Sequence, residues 1–419
     1  MQSRKDGMFP ASIPYRFPGC RHVPSLALIP TLALATLTLW SGNALQRRIG
    51  WMHRYNLPGP VIGGLLVSLA LLACRHLDIA MPVFDTSAKT PLMIAFFTTI
   101  GFGASLGLLK VGGRLVGIFL GIAIIGAILQ NLVGAAIAYL LGEPPLLGVL
   151  AGSVTLTGGP ATGLAFAPQF EKAGIVGAEA IAVAAAMCGI LCGGLLGSPI
   201  ATRLIHRNGL SHALTSATPA SGPVSASESL TPETLLRAFG LICLAMWIGG
   251  GISNYLQALG MTLPAYIGAM LAASVLRNLD DRIGWLDIRE DAIETLGEIA
   301  LAYFLVLSLM TLELWRLASA ALPLLAILAA QLLLVWWLCE KMVFPRLGKN
   351  YESAVIAGGF CGFMMGTTAN AMANMDALTR RFGPAPTAFL IVPIVGAFFI
   401  DFANTLLVQG CLSWLAPAP

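Results

Sequence analysis

Long apolar runs dominate the chain. Residues 118–141 carry no charge, and residues 175–200 carry one acidic residue. Runs of that length can cross a bilayer core of about 30 Å as helices. The pattern predicts ten spans, near 25–46, 60–77, 91–109, 114–141, 178–204, 235–257, 263–277, 297–312, 318–340 and 386–410. Two apolar segments are too broken to be plain helices. The first, 153–168, reads SVTLTGGPATGLAFAP, and the second holds Gly366, Thr367, Thr368, Asn370 and Asn374. Irregular backbone cannot face lipid, because its unpaired peptide groups would each cost several kcal/mol. These segments are therefore expected to be buried in protein or to line a wet cavity.

The second half repeats the first. NLPGPVIGGLL (56–66) is matched by TLPAYIGAML (262–271), SLGLLK (105–110) by TLELWR (311–316), and the 148–166 block by 354–372, each displaced by 205 or 206 residues. Five spans per half force the second copy to enter the membrane upside down, as in secondary transporters. The expected fold is an all-α polytopic membrane protein. It has two inverted-topology repeats of five transmembrane helices, each with a re-entrant, broken-helix loop. The expected organisation is an N-terminal tail at 1–24, a first repeat at 25–205, a linker at 206–232 and a second repeat at 233–411. The linker is rich in Ser, Ala, Pro and Gly and reads as flexible and aqueous.

Composition agrees: 57% of the 419 residues are hydrophobic and 11% charged, against about 25% charged in soluble domains. With the N-terminus outside, sixteen Lys and Arg fall on inside segments and eight outside. That places both termini in the periplasm and the linker in the cytoplasm. The tail has no apolar core and does not read as a cleavable signal. A net charge of +4 without basic, aromatic-interleaved runs gives no sign of nucleic-acid binding. Cys188 and Cys192 lie one turn apart with no His nearby, so no metal site is expected.

If the two broken segments dip in from opposite faces, their tips meet near the midplane. Half-helices there present free N–H groups to anions and free C=O groups to cations. Thr157, Gly158, Gly159, Thr162 and Gly163 are the candidates on the first tip. Gly366, Thr367, Thr368, Asn370 and Asn374 are those on the second. Glycine-mediated helix packing is the competing reading. Asp401, inside VGAFFIDFANTLLV, is a carboxylate in a span and so a functional candidate. Asn404 follows one turn later on the same face. Both are candidate cation ligands, with Asn254 as a third. Gln130, Asn131 and Ser253 suit either interhelical hydrogen bonding or a site. Gly113, Gly117 and Gly121 form a packing ridge. Gly103-Ala-Ser105-Leu-Gly107 fits the serine nucleophile pattern. All five His lie in tails or loops, so no base accompanies it and no enzyme activity is expected. Glu294 and Glu298 read as part of a solvated acidic loop with Asp280, Asp281, Asp287, Glu290 and Asp291.

LPAYIGAMLAASVLRN, GEIALAYFLVLSLMTLELWRL, LTGGPATGLAFAP and the long block from Gly366 to Asn404 resemble the bacterial sodium/glutamate symporter family. The likeness runs over roughly 25–410. It implies Na⁺-coupled glutamate uptake across the inner membrane, with no cofactor beyond the coupling ion. It also implies inverted five-helix domains, a homodimer and an elevator-like motion. The resemblance carries Thr157, Gly158, Gly159, Thr162, Gly366, Thr368, Asn374 and Asp401 over as site residues. The chain departs from the family at the tips, where Pro160-Ala161-Thr162 and Ala369-Asn370 stand, and at Gly59 in the Pro58-Gly59-Pro60 block. Altered selectivity is expected at Ala369 and Asn370. Symport of another small organic anion or amino acid, H⁺ coupling, or a passive channel or non-transporting scaffold remain the alternatives.

Overall fold

A computed structural model describes residues 25–50, 52, 57–77, 79, 81–107, 113–210, 230–258 and 265–415. The expected tail at 1–24 and most of the expected linker lie outside the described residues. The chain is helical almost throughout. In order come α1 (Leu28–Arg48), α2 (Gly59–His76), α3 (Lys89–Gly103), α4 (Gly113–Leu140), α5 (Pro145–Val149), α6 (Gly159–Lys172) and α7 (Ala178–Arg207). Beyond residue 230 come α8 (Pro232–Ala258), α9 (Ala265–Ile283), α10 (Glu290–Met310), α11 (Ala321–Leu338), α12 (Tyr351–Met364), α13 (Thr368–Phe382), α14 (Pro386–Ile394) and α15 (Ile400–Leu415). Two short parallel strands, β1 (Ser25–Leu26) and β2 (Val83–Phe84), tie the start of α1 to the approach to α3.

Proline sets several starts. Pro60, Pro145, Pro160 and Pro386 occupy the first turns of α2, α5, α6 and α14, where the missing N–H has no intrahelical partner to lose. Single π-turns follow α5 (Leu150–Val154), α11 (Cys339–Val343) and α14 (Val395–Phe399). In the first of these Gly152 leaves helical geometry at φ −98° and ψ −130°, so the chain kinks there.

Among the described residues, seven helices are long and apolar enough to cross a membrane. The other three expected spans are helices of a different kind. α3 has only 15 residues, α9 ends in a charged turn, and the span at 386–410 is divided between α14 and α15 by a π-turn. The protein is thus a mostly helical polytopic membrane protein.

The first three helices of each half pack together. α1 crosses α2 at Gly42 and Gly63, so close that a methyl on Gly63 would sit 2.2 Å from the Thr38 carbonyl oxygen. α8 crosses α9 in the same manner at Gly249 and Gly268, where a methyl on Gly268 would lie 2.3 Å from the Gly249 oxygen. α2 packs on α10, and α9 packs on α3. Ser68 of α2 donates to the Leu309 carbonyl near the end of α10. Correspondingly, Asn278 of α9 donates to the Ala104 carbonyl beyond the end of α3 at 2.9 Å. The largest core lies among the remaining helices, around Phe119, Leu150, Phe166, Phe170 and Phe360, all essentially inaccessible.

Candidate functional site

Each broken segment is a helix, a break and a second helix. The first runs from α5 through its π-turn to residues 155–158 and into α6. The second runs from α12 through 365–367 into α13. The two breaks adjoin. A methyl on Gly159 would stand 3.5 Å from the Gly366 carbonyl oxygen and 3.9 Å from Thr367 Cγ2. Gly159 itself has φ +65°, a left-handed conformation that glycine adopts without strain.

Both breaks open on one cavity of about 440 Å³. Thr157, Gly158, Gly159, Gly366, Thr367 and Thr368 line it from the tips. Asp401 lines it from α15, and Glu298 and Leu301 line it from α10. A neighbouring cavity of about 280 Å³ shares Glu298, Thr368 and Asp401 and adds Glu290, Glu294 and Arg277. Arg277 pairs with Asp281 at 2.9 Å and with Glu290, so part of that acidic surface is already neutralised.

α6 and α13 both begin at the cavity. The first turn of a helix leaves N–H groups without intrahelical partners, and the helix dipole adds positive potential there. In α13, Thr367 Oγ1 caps the Asn370 N–H at 3.4 Å, and Thr368 Oγ1 donates to the Gly396 carbonyl at 2.9 Å. In α6, Pro160 supplies no N–H.

The tips are held by amides. Gln130 of α4 accepts from Thr157 Oγ1 at 2.6 Å and donates to the Met364 carbonyl at 2.8 Å, joining the two tips through one side chain. Asn131 Oδ1 accepts from the Ser153 N–H at 3.0 Å, and Asn404 Nδ2 donates to the Ser153 carbonyl at 3.0 Å. Asn370 and Asn374 turn away from the cavity. Their amides donate to the Ile190 and Gly193 carbonyls of α7 at 2.8 and 3.0 Å. Thr162 and Gly163 are buried behind the first tip, with Gly163 packed against Thr155 and Ala182. Asn254 is exposed on α8 and does not line the cavity.

Glu298 is the cavity residue that sequence reasoning passed over, because it follows a run of loop acids. The signal was its place eight residues into α10, beyond the acidic first turn. Ser105 donates to Asp281 at 2.5 Å, in a network of loop and helix-end residues. The described cysteines are free, and no cluster of metal-ligating side chains occurs among the described residues.

The family model described as sodium/glutamate symporter matches residues 25–384. The chain is 40% identical over 393 residues to the sodium/glutamate symporter of Escherichia coli (strain K12), covering 93% of this chain and 97% of that protein. It is 37% identical over 385 residues to the one from Haemophilus influenzae (strain ATCC 51907 / DSM 11121 / KW20 / Rd), covering 90% and 95%. With a family model matched over residues 25–384 and a likeness of that depth along nearly the whole chain, the chain belongs to the sodium/glutamate symporter family, a family of transporters and not of enzymes.

Proposed function

We propose that the protein is a secondary active transporter that carries glutamate with Na⁺ across the bacterial inner membrane by alternating access. One observation carries the reading: two helix N-termini, those of α6 and α13, open on one cavity that Asp401 also lines. A dicarboxylate amino acid suits that pair. Each carboxylate meets one helix N-terminus, helped at α13 by the hydroxyl of Thr367, which accepts from the Asn370 N–H and keeps its own hydrogen to donate. Asp401 attracts the cation, and the ammonium group of the substrate lies toward the acidic side of the cavity, near Glu298.

The two broken segments act as re-entrant loops from opposite faces, within two inverted repeats, 25–205 and 233–411. The matched glycine crossings of α1 with α2 and of α8 with α9 support that symmetry, as do the reciprocal packings of α2 on α10 and α9 on α3. Both termini lie in the periplasm, the linker lies in the cytoplasm, and the working unit is a homodimer. Cation and substrate each tighten the other, because both bind groups anchored to the same tips.

The test is uptake of labelled glutamate by purified protein in liposomes. An inward Na⁺ gradient is expected to drive accumulation, and a choline gradient of equal size is not. Accumulation that ignores the Na⁺ gradient removes the sodium half of the reading. Failure of excess unlabelled glutamate to compete removes the substrate half.

A further inference from the structure

Two amide side chains converge on Ser153, just behind the first tip. Asn131 of α4 takes its N–H, Asn404 of α15 takes its carbonyl, and Ser153 is itself fully buried, as is Asn404. The Ser153 hydroxyl and the Asn404 side-chain oxygen are buried without a hydrogen-bond partner. A buried polar oxygen left without a partner is costly, so two on contacting residues ask for a ligand. The kink at Gly152 opens the backbone at the same place.

We infer that Ser153 Oγ, Asn404 Oδ1 and Asn131 Oδ1 form the seat of the coupling Na⁺. The inference rests on the reading above and names where its cation binds. The donor set is oxygen throughout, as a hard cation requires, and it is neutral. Without a carboxylate it suits a monovalent ion and disfavours a divalent one. Asp401 stands three residues before Asn404 on the same face of α15 and lines the cavity, so it draws the ion in and offsets its charge from one turn away.

The position explains coupling. The Ser153 carbonyl that Asn404 holds also accepts from the Gly158 N–H at 2.9 Å, and Gly158 lines the cavity. An ion gripping Ser153 and Asn404 therefore fixes the peptide that shapes the substrate side of the tip. Substrate bound at the tip holds the same peptide for the ion.

The experiment measures the Na⁺ concentration for half-maximal glutamate uptake in proteoliposomes for the wild type, Ser153→Ala and Ser308→Ala. Ser308, on α10, is an equally buried hydroxyl without a partner, and it controls for loss of a buried oxygen. Ser153→Ala is expected to raise the half-saturating Na⁺ by about tenfold or more. The glutamate KM at saturating Na⁺ should stay within about twofold, and Ser308→Ala should match the wild type. A wild-type Na⁺ response in Ser153→Ala, or equal shifts in both variants, overturns the site while leaving sodium symport standing. A wild type indifferent to Na⁺ defeats the parent reading itself, and this site with it. Should Ser153→Ala fail to insert, Asn404→Asp decides. Its new carboxylate is expected to lower the half-saturating Na⁺ at alkaline pH, and an unchanged value overturns the site.

Discussion

The two tips solve one problem by opposite means. Both are breaks in helices inside a membrane protein, and both must satisfy buried peptide groups. The first tip brings backbone freedom, through Gly152, Gly158 and Gly159, and is clamped from outside by Gln130, Asn131 and Asn404. The second tip carries its own clamps. Asn370 and Asn374 reach out to α7, Thr368 reaches to the Gly396 carbonyl, and Thr367 caps α13. Apart from Gln130, which bonds both, one tip is held by its neighbours and the other holds on to them. Substitutions on the second tip should therefore disturb fold and site together, whereas the first tip can be loosened from a distance.

Asp401 is the sharpest place to test whether the tips share a site, because it sits on the helix that clamps the first tip yet lines the same cavity as Thr368 of the second. Asp401→Asn keeps size and removes charge. Uptake is expected to fall on the order of a hundredfold, the loss of a charge interaction of about 3 kcal/mol, while expression and thermal stability persist. Near-normal uptake would detach the carboxylate from function.

The second expected effect is on stability. Asn374→Leu leaves the Gly193 and Gly358 carbonyls without that donor and crowds Gly197, whose own side faces the Asn374 amide. A loss of about 1–3 kcal/mol is expected, read as a lowered midpoint in a detergent thermal melt. Asn131→Leu strips one N–H of its partner and should cost less, near the average of about 0.6 kcal/mol for interhelical bonds in membranes. Equal losses would erase the distinction between a tip that clamps and one that is clamped.

The third effect is local. Gly159→Ala meets no crowding closer than 3.5 Å, but it forces φ +65° on a residue with a side chain. The strain of about 1–2 kcal/mol falls where α6 begins. Glutamate KM is expected to rise several-fold with little change in folded yield. An unchanged KM would mean that α6 does not present its N-terminus to the substrate.

These contrasts mark what the sequence could reveal. The breaks were legible because Gly, Pro and Thr in an apolar run contradict a continuous helix. The direction of each amide was not. Spacing places Asn370 and Asn374 on a buried face of α13, but whether they meet a ligand or a carbonyl of α7 depends on the register between two helices far apart in the chain. Glu298 was hidden for a related reason. Its neighbours are loop acids, and only the packing of α10 against the tips separates it from them. The π-turns left no signature, since the residues of Val395–Phe399 and Cys339–Val343 are ordinary apolar helix formers apart from Gly396 and two charged residues, Glu340 and Lys341.

The smallest expected effect tests the second tip from a distance. Lys89 at the start of α3 pairs with Glu179 in the first turn of α7 at 2.6 Å, each side chain about one-fifth exposed. α7 supplies the carbonyls that Asn370 and Asn374 grip, so this pair anchors the far end of the second tip's support to the helices of the other group. Partly exposed pairs are worth about 0–1 kcal/mol and weaken with salt. Glu179→Gln is therefore expected to change the glutamate KM by less than about threefold at low ionic strength, and the difference from wild type should shrink in 0.5 M choline chloride at constant Na⁺. The first tip does not lean on α7 through such amides. Adding Glu179→Gln to Asn131→Leu should then give additive effects, and adding it to Asn374→Leu should not. Additivity in both pairs would show that α7 does not transmit to the second tip through its asparagines, and would reduce the ion pair to a surface contact.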